Sequence, residues 1–80
     1  MYYAYVLKSE VASRHYYGHT SDLEKRLKAH NQGKVRSTKA YRLWELIYYE
    51  AFETKTEAIR RENFFKMIQG YQFLKSKGII

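Results

Sequence analysis

Two short apolar segments separated by a polar connection open the chain. Residues 2–7 and 14–20 are rich in aromatic and β-branched side chains, a composition typical of β-strands. Because the connection at residues 8–13 is short, we predict that it closes an antiparallel hairpin. This hairpin would put Tyr5 and Tyr16 on neighbouring strands.

The next segment carries the signals of a helix start and a helix end. Ser21 and Glu24 have the spacing of a capping box, with Ser21 as the N-cap residue and Asp22 in the first turn. The helix should end near residues 31–33, because Gly33 can adopt the left-handed conformation of a C-terminal cap. We therefore predict one helix between these two signals.

One face of this predicted helix combines apolar and cationic residues. The i, i+3, i+4, i+7 spacing of one helix face is followed by Leu23, Arg26, Leu27 and His30. A stripe of this kind normally faces a core. Arg26 and His30 would be partly desolvated there, whereas Lys25 lies on the solvated side. Two explanations stay open: a functional site that uses both cations, or cations satisfied by structural partners.

The second half of the chain begins with a polar segment and an apolar one. Residues 34–42 are basic and lack periodicity, so they are the best loop candidate. Residues 43–52 form a mostly apolar run of strand length, which suits the centre of a sheet.

Two further helices are predicted after this strand. Thr54 and Glu57 form a second capping box, which begins a helix that runs to about Gln69 and stops at Gly70. Residues 71–77 predict a short terminal helix. The predicted order is therefore β-β-α-β-α-α, an α+β chain.

Composition narrows the class of protein. The 80 residues contain no cysteine and no proline but nine Tyr, four Phe and one Trp, which suits a single domain, residues 1–80, with an aromatic core. Without cysteine there is no disulfide framework and no thiolate zinc site. The chain shows neither a secretory leader pattern nor an apolar run of membrane-spanning length, so we expect a soluble cytoplasmic protein.

The net charge of +7 is concentrated in one part of the sequence. Residues 25–42 contain seven basic residues and no acidic one, a pattern that attracts polyanions and favours nucleic-acid binding. A generally basic, soluble surface is the alternative. Besides Arg26, the basic residues expected to bind nucleic acid are Lys25, Lys28, Lys34, Arg36, Lys39 and Arg42.

Glu62 is an acidic residue among the apolar positions of the second predicted helix. It shares a stripe with Ala58, Phe65 and Gln69, and a carboxylate there must be paired, hydrogen-bonded or metal-bound. An i, i+4 pair with Lys66 is the structural explanation. A loosely held Mg²⁺ or Mn²⁺ is the functional one, since Mg²⁺ keeps most of its waters and also accepts phosphate oxygens.

A zinc site is disfavoured by the positions of the histidines. His15, His19 and His30 lack a recognisable ligand spacing.

A phenol has a pKa of about 10, so it serves as a general base only where a metal, Arg or Lys favours its phenolate. Arg26 and a metal at Glu62 would provide that field, although core packing explains most tyrosines of a small aromatic-rich domain.

Four segments, in order along the chain, resemble the GIY-YIG nuclease domain. They are Tyr5 within Tyr3-Ala4-Tyr5, the segment Tyr16-Tyr17-Gly18, Arg26 with His30 four residues later, and Glu62 within Arg60-Arg61-Glu62. The first two motifs keep the family's tyrosines and change the residues beside them, and His19 stands where some members carry Lys. The similarity spans most of the chain and extends to small stand-alone bacterial members, which are often described as similar to the nuclease domain of the bacterial excinuclease.

The resemblance implies a central three-stranded antiparallel sheet flanked by helices, and divalent-metal-dependent cleavage of a nucleic-acid phosphodiester. By position it implies catalytic roles for Tyr5, Tyr16, Arg26, His30 and Glu62, with Glu62 as the ligand of Mg²⁺ or Mn²⁺. Tyr16 would accept or orient the proton of the attacking water and Arg26 would neutralise developing charge. Tyr5 and His30 would position water or phosphate, with proton transfer by His30 as a further role.

The leading hypothesis is a DNA endonuclease connected with DNA repair. It would select DNA structure over base sequence, because 80 residues leave no separate domain that reads bases. DNA is favoured over RNA, no membrane is expected as a partner, and a protein partner is one means of targeting. The alternative is a non-catalytic nucleic-acid-binding module of the same fold, which binds phosphates through residues 25–42 and stacks tyrosines on bases.

Overall fold

The predicted element order β-β-α-β-α-α is confirmed in a computed structural model that describes residues 1–80. The strand boundaries differ from the predicted ones only by residues at their ends. The elements are β1 Tyr2–Ser9, β2 His15–Thr20, α1 Leu23–Asn31, β3 Trp44–Phe52, α2 Lys55–Phe65 and α3 Ile68–Ser76, with a 3₁₀ turn at Lys39–Tyr41 between α1 and β3.

β1 is the central strand of an antiparallel sheet with the order β2-β1-β3. Tyr5 lies opposite Gly18 of β2 on one side and opposite Tyr49 of β3 on the other. Between Val6 and Leu7 the register with β3 shifts, which is the irregularity of a β-bulge. The α+β class and the three-stranded antiparallel sheet are confirmed.

Helices cover both faces of the central strand, so the core has two halves. One face packs Ala4 and Val6 against Phe65 of α2 and Leu74 of α3. The other face joins Tyr5, Leu7 and Trp44 to partly buried Leu23 and Leu27 of α1. Side chains of β1 are therefore buried on alternate sides, which explains its continuous apolar run. No helix of the protein combines the length and hydrophobicity needed to span a bilayer.

α1 begins one residue later than its predicted cap. Asp22, not Ser21, is the N-cap: its backbone is extended and its Oδ1 atom accepts the N–H of Lys25 at 3.0 Å. The predicted capping box of Ser21 and Glu24 is therefore wrong. The Asp22 carboxylate caps the amide of Lys25 instead of that of Glu24 and also meets the positive end of the helix dipole.

The predicted end of α1 is confirmed. Gly33 has a φ of 75°, the left-handed conformation that glycine adopts without strain. Its N–H donates to the carbonyl of His30, and the N–H of Lys34 donates to that of Ala29. This pair of bonds is a Schellman motif, which satisfies the last carbonyls of the helix.

The loop predicted at residues 34–42 is confirmed as the connection between α1 and β3, and it is an ordered one. It contains the Lys39–Tyr41 turn and buries Thr38, which is 1% exposed. The Trp44 Nε1–H donates to the Thr38 carbonyl at 2.9 Å, and the Asn31 side chain bonds both backbone groups of Trp44 at 2.6 and 3.0 Å. These bonds attach the segment to the end of α1 and the start of β3.

The capping box that begins α2 is confirmed. The Thr54 hydroxyl accepts the N–H of Glu57 at 3.2 Å, and the Glu57 carboxylate accepts the N–H of Thr54 at 3.2 Å. This reciprocal pair satisfies two amides of the first turn and sets the start of the helix that carries Glu62.

The predicted end of α2 is wrong. The helix stops at Phe65, short of Gln69, and Gly70 lies inside α3 instead of terminating a helix. A Cβ atom on Gly70 would lie 1.9 Å from the carbonyl oxygen of Phe64. Glycine is needed there because the two helices meet backbone to backbone, which is a tertiary reason that local sequence signals do not carry.

Candidate active site

Tyr5 occupies the centre of the candidate site. It stands on the central strand with 2% exposure, and its ring contacts those of Tyr16 and His30 at centroid distances of 6.2 and 6.0 Å. A Cβ atom on Gly18 would lie 2.5 Å from the Tyr5 hydroxyl oxygen. The missing side chain of Gly18 therefore provides the space in which this hydroxyl lies.

His30 holds the Tyr5 hydroxyl through a buried chain of hydrogen bonds. Burial, reinforced by the nearby Arg26 charge, lowers the pKa of His30 to about 4, so the ring is neutral at pH 7. The Thr38 hydroxyl donates to the Val35 carbonyl at 3.3 Å and therefore accepts Nδ1–H of His30 at 2.8 Å. This arrangement leaves Nε2 of His30 to accept the Tyr5 O–H at 2.9 Å.

Arg26 faces the two phenols from α1. Its pKa is raised chiefly by the Tyr5 hydroxyl, against the effect of burial, with a further contribution from Tyr16. Burial raises the pKa of Tyr5 to about 12, although Arg26 opposes this change. Tyr5 therefore stays protonated at neutral pH and donates to His30, while its oxygen and that of Tyr16 face the guanidinium.

Tyr16 is the more accessible of the two phenols. It is half-buried on the edge strand β2, and its ring packs against His30 at 4.8 Å and Trp44 at 6.5 Å between centroids. Its ring is thus fixed by aromatic contacts while the edge position keeps it open to solvent. Of the two phenols near Arg26, Tyr16 is therefore the one with the larger exposed fraction.

Glu62 reaches the same region from α2. Its Oε1 accepts Nδ1–H of His19 at 2.6 Å, and its Oε2 accepts the Lys66 ammonium at 2.6 Å. Burial would raise the pKa of the Glu62 carboxyl, but these two hydrogen bonds outweigh it and lower the pKa. The carboxylate is also close enough to contribute to the raised pKa of Tyr5, after burial and Tyr16.

The five residues predicted as catalytic lie in one region, with unequal access to solvent. The rings of Tyr5, Tyr16 and His30 contact one another, and Arg26 lies close enough for the two phenols to raise its pKa. Glu62 contacts none of them directly: it approaches from α2, its hydrogen-bond partners are His19 and Lys66, its charge contributes to the raised pKa of Tyr5, and its side chain is 15% exposed. His30 is 0% exposed, so it contacts Tyr5 and has no open path to a phosphate.

Comparison with known proteins agrees with this arrangement. The family model described as the GIY-YIG catalytic domain matches residues 1–70, which include every residue of the candidate site. The chain belongs to the GIY-YIG family. This membership gives it a nuclease-type fold and suggests nucleic-acid binding.

Its relatives are small proteins of the UPF0213 group. The chain is 50% identical to a UPF0213 protein of Bacillus pumilus over 66 residues, covering 81% of this chain and 66% of that protein. It is 42% identical to UPF0213 protein CPE1444 of Clostridium perfringens, covering 99% of this chain and 88% of that protein. The solution NMR structure of UPF0213 protein BH0048 from Bacillus halodurans has a TM-score of 0.54 at 31% identity, covering 94% of this chain and 82% of the other.

Glu62 fits the part of a single protein ligand for a divalent cation in this GIY-YIG domain. No three His, Cys, Asp or Glu residues are grouped to hold a metal ion, so a closed protein cage is absent. Each carboxylate oxygen has about two acceptor positions, and the bonds to His19 and Lys66 therefore leave Glu62 able to accept another partner. One carboxylate with waters and substrate oxygens is a ligand set that Mg²⁺ accepts.

The basic residues form an exposed surface beside the GIY-YIG site. Two shallow grooves along α1 share Lys25 and Ala29; one extends to Arg26, the other to Lys28 and Lys34. The positive surface is therefore continuous with the guanidinium that faces the phenols. All six residues expected to bind nucleic acid are exposed: Lys25, Lys28, Lys34, Arg36, Lys39 and Arg42.

Two residues of the site were not predicted as functional. Thr38 orients His30 from a segment that had no periodic signal, and only its burial reveals the role. His19 holds Glu62 across 43 residues of sequence. Its position directly after Gly18 was the available signal, because some members of the family carry at that position a Lys, which is likewise a hydrogen-bond donor.

Proposed function

We propose that this GIY-YIG domain is an endonuclease that hydrolyses phosphodiester bonds of DNA with the help of a divalent metal ion. The observation that supports this most directly is the place of Arg26, which lines the groove along α1 and lies close enough to Tyr5 and Tyr16 for both phenols to raise its pKa. A guanidinium both attracts the phosphate and stabilises charge that develops on its oxygens. The basic grooves that reach Arg26 provide the path along which the DNA backbone would enter.

The two phenols would have different roles. Tyr5 donates its proton to neutral His30 and stays protonated, so it is unsuited to accept a proton. Tyr16 has no such buried acceptor and is half-buried at the sheet edge. In this mechanism Tyr16 would orient the attacking water and, as the phenolate that Arg26 and the metal ion would favour, accept its proton, while Arg26 binds the phosphate oxygens and Tyr5 holds the guanidinium.

Glu62 would hold the metal ion, with water and substrate oxygens completing the coordination. A bound Mg²⁺ or Mn²⁺ supplies Lewis-acid polarisation of the phosphate and favours departure of the leaving oxygen. Lys66 and His19 keep the Glu62 side chain ionised and oriented. Residues 1–80 contain no separate base-reading element beyond the site, so structure-selective cutting of DNA is part of the proposal.

One observation favours a second function, a nucleic-acid-binding module without turnover. Both oxygens of Glu62 are already hydrogen-bonded, one to His19 and the other to the Lys66 ammonium. If these bonds persisted in the complex, the domain would bind phosphates through its basic surface and cut nothing. The two functions predict opposite results: the endonuclease cuts DNA when a divalent metal is present, and the binding module does not.

A cleavage assay with Mg²⁺ or Mn²⁺ separates the two functions. Single-stranded, duplex and branched DNA, and matching RNA, are incubated with the wild-type protein, Tyr16→Phe and Glu62→Gln. We expect metal-dependent cutting by the wild type and a loss of roughly 100-fold or more in each variant. Binding measured without metal should change little, because neither substitution removes a basic residue.

Two exposed positions provide matched controls. Tyr71→Phe removes a hydroxyl on α3 and Glu45→Gln removes a carboxylate at the start of β3. Both should cut DNA at the wild-type rate. Binding without cutting under every metal condition would support the binding module, and absence of binding at low salt would contradict both functions.

A further inference from the structure

Four tyrosines stand on the face of the sheet that α1 partly covers. On β1 these are Tyr3 and Tyr5, on β2 Tyr16 and on β3 Tyr49, because Tyr5 lies opposite Tyr49 and alternate residues of a strand share a face. Tyr5 and Tyr16 belong to the core cluster under α1. Tyr3 and Tyr49 belong to neither core cluster, although they extend the same surface.

Tyr49 is unusually open for an aromatic residue in the sheet. It is 52% exposed, whereas Tyr5 directly opposite is 2% exposed. Its ring meets the ring of Tyr3 edge to face, with 5.8 Å between centroids and 75° between planes. The residue opposite Tyr3 on β3 is Ala51, whose small side chain leaves the pair uncovered.

This exposed aromatic pair is continuous with the candidate active site. The Tyr5 hydroxyl lies over Gly18 of β2, on the other side of β1 from Tyr49, so about two strand spacings, roughly 10 Å, separate it from the position of Tyr49. The guanidinium of Arg26 lies at the Tyr5 hydroxyl. A nucleotide whose phosphate binds Arg26 would therefore have its base, or that of its neighbour, within reach of the pair.

We propose that Tyr49, supported by Tyr3, is a stacking platform for an unpaired base next to the phosphodiester to be cut. Stacking requires a free base face, and bases inside a duplex have both faces covered. The platform therefore selects substrates with unpaired nucleotides at the cleavage point, such as single strands or branched ends. This proposal rests on the proposed nuclease function and narrows its substrate class.

Stacking suits the chemistry of the surface. The phosphate contacts come from Arg26 and the basic grooves, so the platform itself needs no charge. A tyrosine ring stacks on any base because every base has a π-face. Edge-to-face packing against Tyr3 restricts the Tyr49 ring before a base arrives, which lowers the entropy lost on binding.

Fluorescence of 2-aminopurine tests the platform directly, since this base analogue is quenched by stacking. Single-stranded oligonucleotides that carry it at successive positions are bound to wild-type protein, Tyr49→Phe and Tyr49→Thr in EDTA, which prevents cutting. Threonine removes the ring but keeps a residue that favours strands. We expect quenching at one position with wild type and Tyr49→Phe, and its loss with Tyr49→Thr.

Affinity should change in parallel and only for unpaired substrates. Tyr49→Thr should weaken single-strand binding roughly 5- to 100-fold, and a blunt duplex of equal length less than about 2-fold. Tyr71→Ala, which removes a 45% exposed ring on α3, should change neither. Circular dichroism of Tyr49→Thr tests whether the sheet is retained. If it is lost, Tyr3→Thr is used in the same measurements instead.

Any result other than those expected above contradicts the proposed stacking role of Tyr49. Equal losses for single strand and duplex, or no loss, would exclude base stacking at Tyr49. A change in self-association of Tyr49→Thr without an effect on DNA would assign the pair to a protein contact. The nuclease proposal is judged separately, because cleavage lost in Tyr16→Phe and Glu62→Gln supports it whether or not Tyr49 contributes.

Discussion

At the scale of single residues, two tyrosines that look equivalent in the sequence have different chemistry. Tyr5 has a buried acceptor for its proton, the neutral ring of His30. Tyr16 has aromatic neighbours but lies at the edge of the sheet. The difference arises from the environment of each hydroxyl, and it assigns the rigid part of the site to Tyr5 and the accessible part to Tyr16.

The buried neutral His30 predicts a specific pH dependence of folding. Its pKa is about 4 in the folded protein, below its ordinary value of 6.5, so the unfolded chain takes up a proton first as pH falls. The stability is fully present above about pH 6.5 and is lost as pH falls towards 4. Between pH 7 and pH 5 the free energy of unfolding should fall by about 2 kcal/mol, measured by urea denaturation.

His30→Gln should remove most of this pH dependence, although it also lowers stability at pH 7. His15→Gln is the comparison, because His15 is a partly exposed residue whose pKa is also lowered by burial and by Lys8. It should leave most of the slope in place. A slope that is the same in His30→Gln and the wild type would contradict the buried Tyr5–His30–Thr38 chain.

The space beside Gly18 provides a second prediction at this scale. In Gly18→Ala the new methyl group would lie 2.5 Å from the Tyr5 hydroxyl oxygen and 2.9 Å from a ring carbon of Tyr16. Overpacking of this kind typically costs about 1–3 kcal/mol, and we expect the displaced phenols to lose cleavage as well. Urea denaturation and the cleavage assay measure the two effects.

Gly78→Ala serves as the control for Gly18→Ala. Nothing lies within 4 Å of the added atom, but Gly78 has a φ of 75°, so this change carries only left-handed backbone strain of about 1 kcal/mol. It should cut DNA normally. Wild-type cleavage in Gly18→Ala would show that the Tyr5 hydroxyl is not held against this strand.

At the scale of elements, local signals set where most helices and strands begin and tertiary contacts set where some of them end. The Thr54 cap and the Gly33 cap are predictable because each depends on residues within one turn. Ser21 is the wrong cap, since its neighbour Asp22 is also a good N-cap residue and accepts the N–H of Lys25, one residue further along. Gly70 resembles a helix stop in the sequence, but its reason is a contact with Phe64 across the α2–α3 corner.

The α2–α3 corner predicts a large effect from a single methyl group. In Gly70→Ala the added Cβ would lie 1.9 Å from the Phe64 carbonyl oxygen and 2.6 Å from the Phe65 Cα atom. Since backbone atoms cannot move aside as a side chain can, α3 must shift and expose Leu74. We expect a loss of about 2–4 kcal/mol in urea denaturation.

The neighbouring residue, Gln69, provides a control for Gly70→Ala. Gln69→Ala lies at an exposed position of the same helix and raises its helix propensity, so it should be neutral or slightly stabilising. If Gly70→Ala were equally neutral, the close backbone approach of α2 and α3 would be wrong.

At the scale of the whole molecule, the site depends on contacts between residues far apart in sequence. The motif residues Tyr5, Tyr16, Arg26 and Glu62 could be predicted because the resemblance preserves their order. The bond between His19 and Glu62 joins residues 43 positions apart, and no local pattern indicates it. The exposure of Tyr49 was likewise outside prediction, because an aromatic residue within an apolar strand segment is expected in the core, and Tyr49 belongs to neither core cluster.

The positive charge of the whole molecule attracts DNA, and the effect of where the basic residues lie can be measured separately from the effect of the net charge. Replacing Lys25, Lys28 and Lys34 by Gln removes three charges from the grooves that lead to Arg26. Each lost phosphate contact lowers the slope of log affinity against log salt concentration by roughly 0.7–0.9. The slope should therefore fall by about 2–3 if all three bind DNA, measured by fluorescence anisotropy between 50 and about 200 mM salt.

A second triple variant distinguishes a defined DNA path from general attraction to a basic protein. Lys55, Lys75 and Lys77 lie on the opposite, α2–α3 side of the sheet, and their replacement by Gln changes the net charge by the same three units. Because screening confines electrostatic contacts to about 10 Å at 0.1 M salt, this variant should keep the wild-type slope. Equal slopes in the two triple variants would mean that net charge alone attracts DNA, and the groove along α1 would then have no special part in guiding a strand to Arg26 and Tyr16.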